Sequence, residues 1–174
     1  RRLDAGSWFD KRFAAERVPI LDEVLVVCRG KIDVLLDLKE TGDEYARRVT
    51  DVVKKHGEPG RTIVGVRSVE QAELFRNLLP EAHQIGLIAT PDEIESYAAA
   101  GVETIRLWPK WLTDDSLVKR VRKAGVGLHL NGETGKPEEF SALLKHRPDS
   151  VSGDNPARIV ATLRHLRRPV PVLD

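Results

Sequence analysis

The chain has 174 residues, 41% of them hydrophobic and 32% charged, a size and balance suited to one globular domain with a substantial core. Its net charge of +1 gives no reason to expect nucleic acid or another polyanion as partner, and a single cysteine, Cys28, excludes an intrachain disulfide. No apolar run reaches the ~18–20 residues of a membrane span; no signal peptide is visible, and with no Met in the chain the compartment, cytoplasmic or exported, is left open by the sequence.

Residues 1–31 read as a loop followed by a helix that Pro19 initiates and that runs to about Cys28. From residue 32 a unit recurs, in which a short β-rich apolar run is followed by a turn and an amphipathic helix. The strands are expected at 32–38, 62–67, 84–88, 102–107, 126–130 and 150–152. The helices are expected at 43–55, 69–79, 91–100, 114–124, 137–145 and 155–166. Ser68 and the Thr90-Pro91 pair supply helix starts, and Gly57, Gly101 and Gly125 supply stops. The basic runs Lys119–Lys123 and Arg164–Arg168 fall near helix C-termini, where cations suit the helix dipole, and read as solvated faces.

Regular alternation of strand and helix argues a parallel sheet with right-handed crossovers. An open doubly wound sheet and a (β/α)8 barrel both satisfy it. No dinucleotide or phosphate-loop fingerprint follows any strand, and Gly132-Glu133-Thr134-Gly135-Lys136 lacks the required spacing, so the open nucleotide-binding sheet loses ground. A full barrel needs about 250 residues and eight units. The expected fold is therefore α/β of the TIM-barrel type, a single partial barrel domain over 1–174 with six units present and the first two strands missing.

Alternation along a strand separates two faces. On the first strand Val34, Leu36 and Leu38 share one, and Asp33, Leu35, Asp37 and Lys39 the other. Later strands place Thr104, Arg106 and Trp108 on one face, His129 with Asn131 on another, and Ser150, Ser152 and Asp154 on a third. Polar groups at the C-terminal ends of barrel strands are where active sites of this fold lie. Asp37 and Lys39 read either as an ion pair at a strand exit or as a site. In a site the carboxylate suits a hard divalent cation and the lysine suits phosphate. A lone His129 reads first as a satisfied interior histidine and second as a catalyst.

Three blocks then carry a resemblance: Leu3-Asp4-Ala5-Gly6-Ser7-Trp8-Phe9, Val18-Pro19-Ile20-Leu21-Asp22-Glu23-Val24-Leu25, and Leu36-Asp37-Leu38-Lys39. In this order they resemble the glycerophosphodiester phosphodiesterases, which show an LDAGSWF-like loop, an IPTLEEVL-like helix and a strand ending in IEIK. The segment Pro148-Asp149-Ser150-Val151-Ser152-Gly153-Asp154-Asn155-Pro156 resembles the family's last strand, usually GVDGIITDxP. The resemblance implies a (β/α)8 barrel in which the LDAGSWF-like loop follows the second strand. The His-Arg-Gly motif, a Glu-x-Asp metal pair and a His-Asp motif would precede it, so the chain corresponds to the C-terminal three-quarters of such an enzyme.

By the same resemblance, the expected reaction of the parent protein is hydrolysis of a glycerophosphodiester to glycerol 3-phosphate and an alcohol. It would require a divalent cation, Mg2+ or Ca2+, and two histidines from the preceding part. Asp37 stands where the family has a metal-binding Glu, and Lys39 matches the lysine near the substrate phosphate. Asn131 stands where a WTVN-like motif has its Trp; Asp154 matches the late Asp, with Gly153 in place of the usual Thr. Strand geometry adds Arg106 towards the phosphate and Trp108 with Asn131 as pocket walls. These departures keep a second reading open, a non-catalytic phosphate-ligand-binding barrel or divergent pseudo-enzyme. The chain alone is expected to be inactive. Two open sheet edges would favour a homodimer or association with the missing N-terminal segment.

Overall fold

A computed structural model describes residues 3–166, so Arg167 and Arg168 of the second basic run lie outside the described residues. Six strands form one sheet in chain order, β1 (Val34–Asp37), β2 (Thr62–Val66), β3 (His83–Gly86), β4 (Thr104–Leu107), β5 (Gly127–Asn131) and β6 (Ser150–Ser152). They alternate with helices, α1 (Leu21–Cys28) before β1, then α2 (Asp43–His56), α3 (Val69–Leu78), α4 (Ile94–Ala99), α5 (Ser116–Lys123), α6 (Pro137–Leu144) and α7 (Pro156–Leu166). Strand order equal to chain order, with a helix in every crossover, is the arrangement of (β/α)8 folds, here with six of the units.

The chain divides into two compact units, Arg1–Val64 with Leu74–His83, and Gly65–Glu73 with Gln84–Asp174. In the first, α2 buries Ala46, Val49, Thr50 and Val53, a 3–4 residue spacing that makes one helical face. That helix starts at Gly42, whose φ of 103° only glycine adopts without strain. Asp43 and Glu44 at its start and Lys54, Lys55 and His56 at its end complement its dipole. At Gly57 an added Cβ would meet the Val53 carbonyl at 3.0 Å and the Leu25 methyls at 3.4 Å, so a side chain there would have to displace its neighbours slightly.

The LDAGSWF-like loop is also built around a glycine. The Asp4 carboxylate accepts from the Gly6 and Ser7 N–H groups at 2.9 and 3.0 Å, which holds its carboxyl below the usual range, the Ser7 bond contributing most. A Cβ at Gly6 would collide with the Phe13 carbonyl. Trp8 and Phe9 are left exposed and meet edge to face, with ring centres 5.8 Å apart.

In the second unit, β3, β4, β5 and β6 pair in parallel, with Ile105 beside Leu128 and Leu107 beside Leu130. Those four side chains are fully buried with Phe140, Val121, Tyr97 and Ile94 from the helices. Each large apolar side chain so buried contributes about 1.5–3 kcal/mol. Gly86 lets β3 approach them, since a Cβ there would sit 2.7 Å from the Tyr97 ring and 2.8 Å from Ile105 Cδ1.

Elements differ from expectation mainly at their ends. The first strand begins at Val34 rather than residue 32, because the Lys31 and Ile32 N–H groups close the turn after α1 by bonding to the Cys28 carbonyl. The helix expected over 91–100 opens as a 3-10 turn, Pro91–Glu93, with the Glu93 carboxylate bonded back to the Ala89 and Thr90 N–H groups at 2.7 and 3.0 Å. Pro19 precedes α1 rather than starting it; the Glu23 carboxylate caps the helix from the Ile20 N–H at 3.0 Å. The run Lys119–Lys123 meets carboxylates: Arg120 bonds Glu95 at 2.9 and 2.7 Å, and Arg122 bonds Asp149 at 2.5 Å.

Candidate functional site

In the first unit the alternation of β1 is realised. Leu36 and Leu38 are buried and Val34 half-buried, while Asp33, Leu35, Asp37 and Lys39 are exposed. Arg61 Nε takes Asp33 at 2.7 Å. Lys39 Nζ lies 2.5 Å from Asp37 Oδ2, so the two expected site residues stand together at the strand exit. With side chains 69% and 42% exposed, this pair adds little to stability. An ammonium held on a carboxylate at a solvent-open strand end is available to an anion that competes for it.

Ca2+ takes about six to eight oxygens, and Mg2+ about six, one or two of them carboxylate and the rest water or phosphate. Asp37 offers one carboxylate, already engaged by Lys39. Among the described residues no group of three or more His, Cys, Asp or Glu side chains could hold a metal ion. The described residues therefore do not fit a divalent-cation centre by themselves.

In the second unit three strands bring polar side chains into register. Arg106 pairs with His129, His129 with Ser150, and Asn131 with Ser152. These residues share the face opposite Ile105, Leu107, Leu128 and Leu130, as alternation requires. His129 is 8% exposed, with Nδ1 2.8 Å from Ser150 Oγ and Nε2 3.1 Å from Ser152 Oγ. Ser152 Oγ in turn donates to Asn131 Oδ1 at 3.2 Å. Burial, and then the positive charge of Arg106, hold the imidazole below its usual pKa of 6.5, against an opposing hydrogen bond with Asn131. His129 is thus an interior histidine with both ring nitrogens satisfied.

Beyond this face opens a cleft of about 520 Å³, lined by Trp108, Lys110, Asn131, Glu133 and Asp154 among others. Three expected site residues, Trp108, Asn131 and Asp154, are brought together here. Arg106 stands behind them, its guanidinium 4.2 Å from the Trp108 ring centre, a cation–π contact that fixes the indole plane. The Asp154 N–H bonds the Glu133 carbonyl at 3.0 Å, and the Gly132 N–H bonds the Ser152 carbonyl at 2.8 Å. The loop between β5 and α6 is thereby fastened to the end of β6.

The same loop contains the Gly132–Lys136 cluster. Its N–H groups are gathered by an internal carboxylate. Glu139 accepts from the Glu133 N–H, from the Thr134 N–H at 3.0 Å and hydroxyl at 2.6 Å, and from the Gly135 N–H at 2.9 Å. Burial raises the Glu139 carboxyl, but these donors, Thr134 foremost, outweigh it and hold it below the usual range. The wall residues Lys110 and Glu133 and the clamp Glu139 did not stand out in the sequence. The readable signal for the clamp was a Glu in the first turn of a helix just after a Gly-Glu-Thr-Gly turn.

No protein-family model and no curated protein matches the sequence. Solved structures do. The chain is similar to a glycerophosphodiester phosphodiesterase from Agrobacterium tumefaciens str. C58, at 23% identity and a TM-score of 0.75, over 91% of this chain and 68% of that one. A provisionally assigned glycerophosphoryl diester phosphodiesterase from the same organism gives 16% identity and a TM-score of 0.72, over 90% of this chain and 68% of that one. A provisionally assigned one from Silicibacter pomeroyi DSS-3 gives 20% and 0.66, over 90% of this chain and 61% of that one. The likeness shows that the chain has the fold of these proteins and spans about two thirds of their length.

Proposed function

We propose that this chain serves hydrolysis of glycerophosphodiesters to glycerol 3-phosphate and an alcohol, as part of a protein that also carries the upstream motifs the resemblance implies. The observation that carries the reading is a coincidence of two kinds of evidence. The ordered motif block from Leu3 to Lys39 resembles one enzyme family, and structures bearing that family's name share this fold over about nine tenths of the chain. Fold by itself does not fix a reaction, which is why the motif residues matter.

In the reaction, the phosphorus–oxygen bond to the alcohol breaks, a bond from water oxygen to phosphorus forms, and the alcohol leaves with a proton. The two upstream histidines of the resemblance would handle that proton. Lys39 would stabilise charge growing on the phosphoryl oxygens, a task for which a point cation suits. Trp108, Asn131 and Asp154 would wall the substrate pocket, and Arg106 would hold Trp108 in place while adding positive potential. Asp37 would be one ligand of several if Mg2+ or Ca2+ takes part, the others coming from the upstream Glu-x-Asp pair.

A second reading, a binding module without turnover, is favoured by the Asp37 carboxylate being held by Lys39 and by Asn131 in the place of a Trp. Phosphorus NMR of glycerophosphocholine incubated with the upstream-extended protein separates the two. The enzyme reading expects the diester signal to be replaced by glycerol 3-phosphate. Line broadening of an undiminished diester signal would instead establish the binding module.

A further inference from the structure

The polar face of β4, β5 and β6 carries a hydrogen-bond chain whose direction can be worked out. Ser152 Oγ has one hydrogen, and it is donated to Asn131 Oδ1. At its contact with His129 Nε2, 3.1 Å away, Ser152 must therefore accept, so Nε2 carries the ring proton. A neutral ring with Nε2–H has an acceptor at Nδ1, and Ser150 Oγ donates to it at 2.8 Å. Every proton then runs one way, from Ser150 through His129 and Ser152 to the amide oxygen of Asn131. A protonated ring would offer two donors, reverse the Ser150 bond, and face the Arg106 guanidinium across the β4–β5 register. Arg106, Ser150, Ser152 and Asn131 are the charged or polar groups that the neighbouring strands turn to this ring.

This chain commits one branch of the Asn131 amide. Its oxygen is fixed inward, and the residue lines the cleft, so the branch it offers there is the NH2 group. We propose that His129, Ser150 and Ser152 are positioning residues that hold the Asn131 amide with its N–H groups presented to a hydroxyl-bearing alcohol group in the cleft. The cleft also offers hydroxyl acceptors, since Asp154 and Glu133 line it beside Lys110. Donor and acceptor side by side recognise hydroxyls, which both give and take hydrogen bonds. The choice of alcohol rests on the phosphodiesterase reading; the direction of the relay does not.

The test starts without ligand. Long-range proton–nitrogen spectra of the labelled chain are expected to show His129 as the neutral Nε2–H tautomer at pH 7 and still neutral somewhat below 6.5. An Nδ1–H ring would overturn the relay. Glycerophosphoinositol is then titrated in, with glycerophosphocholine as the comparison lacking hydroxyls on its head group. The Asn131 side-chain amide is expected to shift with the inositol probe and to move less with the choline one. Asn131→Asp keeps the shape and the acceptor for Ser152 but removes the donor; it should weaken the inositol probe about tenfold, the worth of one buried hydrogen bond. The new carboxylate also favours a protonated His129 ring, so the tautomer is read in the wild-type chain. Ser152→Ala should weaken binding in the same direction. No binding of the inositol probe by the wild-type chain, or unchanged affinity in Asn131→Asp, would overturn the presentation of the amide. The expected tautomer together with no diester hydrolysis by the extended protein would remove the enzyme reading and leave the relay standing.

Discussion

Lys39→Ala is expected to lower kcat/KM for glycerophosphodiester hydrolysis by the upstream-extended protein by about 100- to 1,000-fold, the usual cost of removing one group that stabilises transition-state charge. The fall should lie mostly in kcat, since charge on the phosphoryl oxygens grows as the bond to the alcohol breaks. Lys39→Arg should recover part of it, because the charge returns with a different shape. Stability should be unaffected: Lys39 is exposed at a strand exit, and its ion pair with Asp37 is open to solvent. Steady-state kinetics beside a thermal melt check both halves. Equal activity in wild type and Lys39→Ala would remove Lys39 from the site.

The second large effect is structural. Glu139→Ala should destabilise the protein by about 2–3 kcal/mol and lower its melting temperature by roughly 5–10 °C, because three backbone N–H groups and the Thr134 hydroxyl lose one charged acceptor together. The cleft should loosen as well, since Glu133 belongs to the same loop. The pH dependence has a definite sign. The folded Glu139 carboxyl lies below its ordinary value of 4.5. Its contribution is therefore complete above about pH 4.5 and is lost as the pH falls through the folded value. The stability difference between wild type and variant should shrink on acidification in that range. Asp149 is lowered too, chiefly by the Leu128 N–H, so the wild-type curve alone cannot isolate Glu139 and the difference between the two curves is the quantity to follow. Denaturant melts from pH 7 to pH 3 measure it, and a difference that grows towards low pH would contradict the assignment.

Much of this architecture was legible because its signals are local. The alternation in residues 33–39 put Leu36 and Leu38 on one face and Asp37 with Lys39 on the other, and the structure buries the first pair and exposes the second. Glycines 57, 101 and 125 marked helix stops because a chain leaving a helix often needs a conformation, or a close approach, that other residues resist. Strand ends were less legible, since whether Ile32 joins β1 depends on a bond to Cys28 rather than on its own propensity.

The polar relay was hidden for a different reason. His129, Ser150 and Ser152 each occupied a face the sequence could name, but their meeting depends on the register between β5 and β6, which no single strand encodes. The glycine cluster at 132–136 invited comparison with phosphate loops, while its N–H groups turn to Glu139 in the following helix. Asp37, Lys39, Trp108 and Asn131 were singled out by residue type and strand position, and Asp154 by the resemblance. The structure pairs the first two and lines one cleft with the last three.

The most direct measurement is hydrolysis of glycerophosphocholine, with and without Mg2+ or Ca2+, by the 174-residue chain and by the same chain extended upstream. The extended protein is expected to release glycerol 3-phosphate in a cation-dependent way, and the 174-residue chain to release none. An extended protein that is well folded, carries the upstream histidines and hydrolyses no glycerophosphodiester with either cation would contradict that expectation.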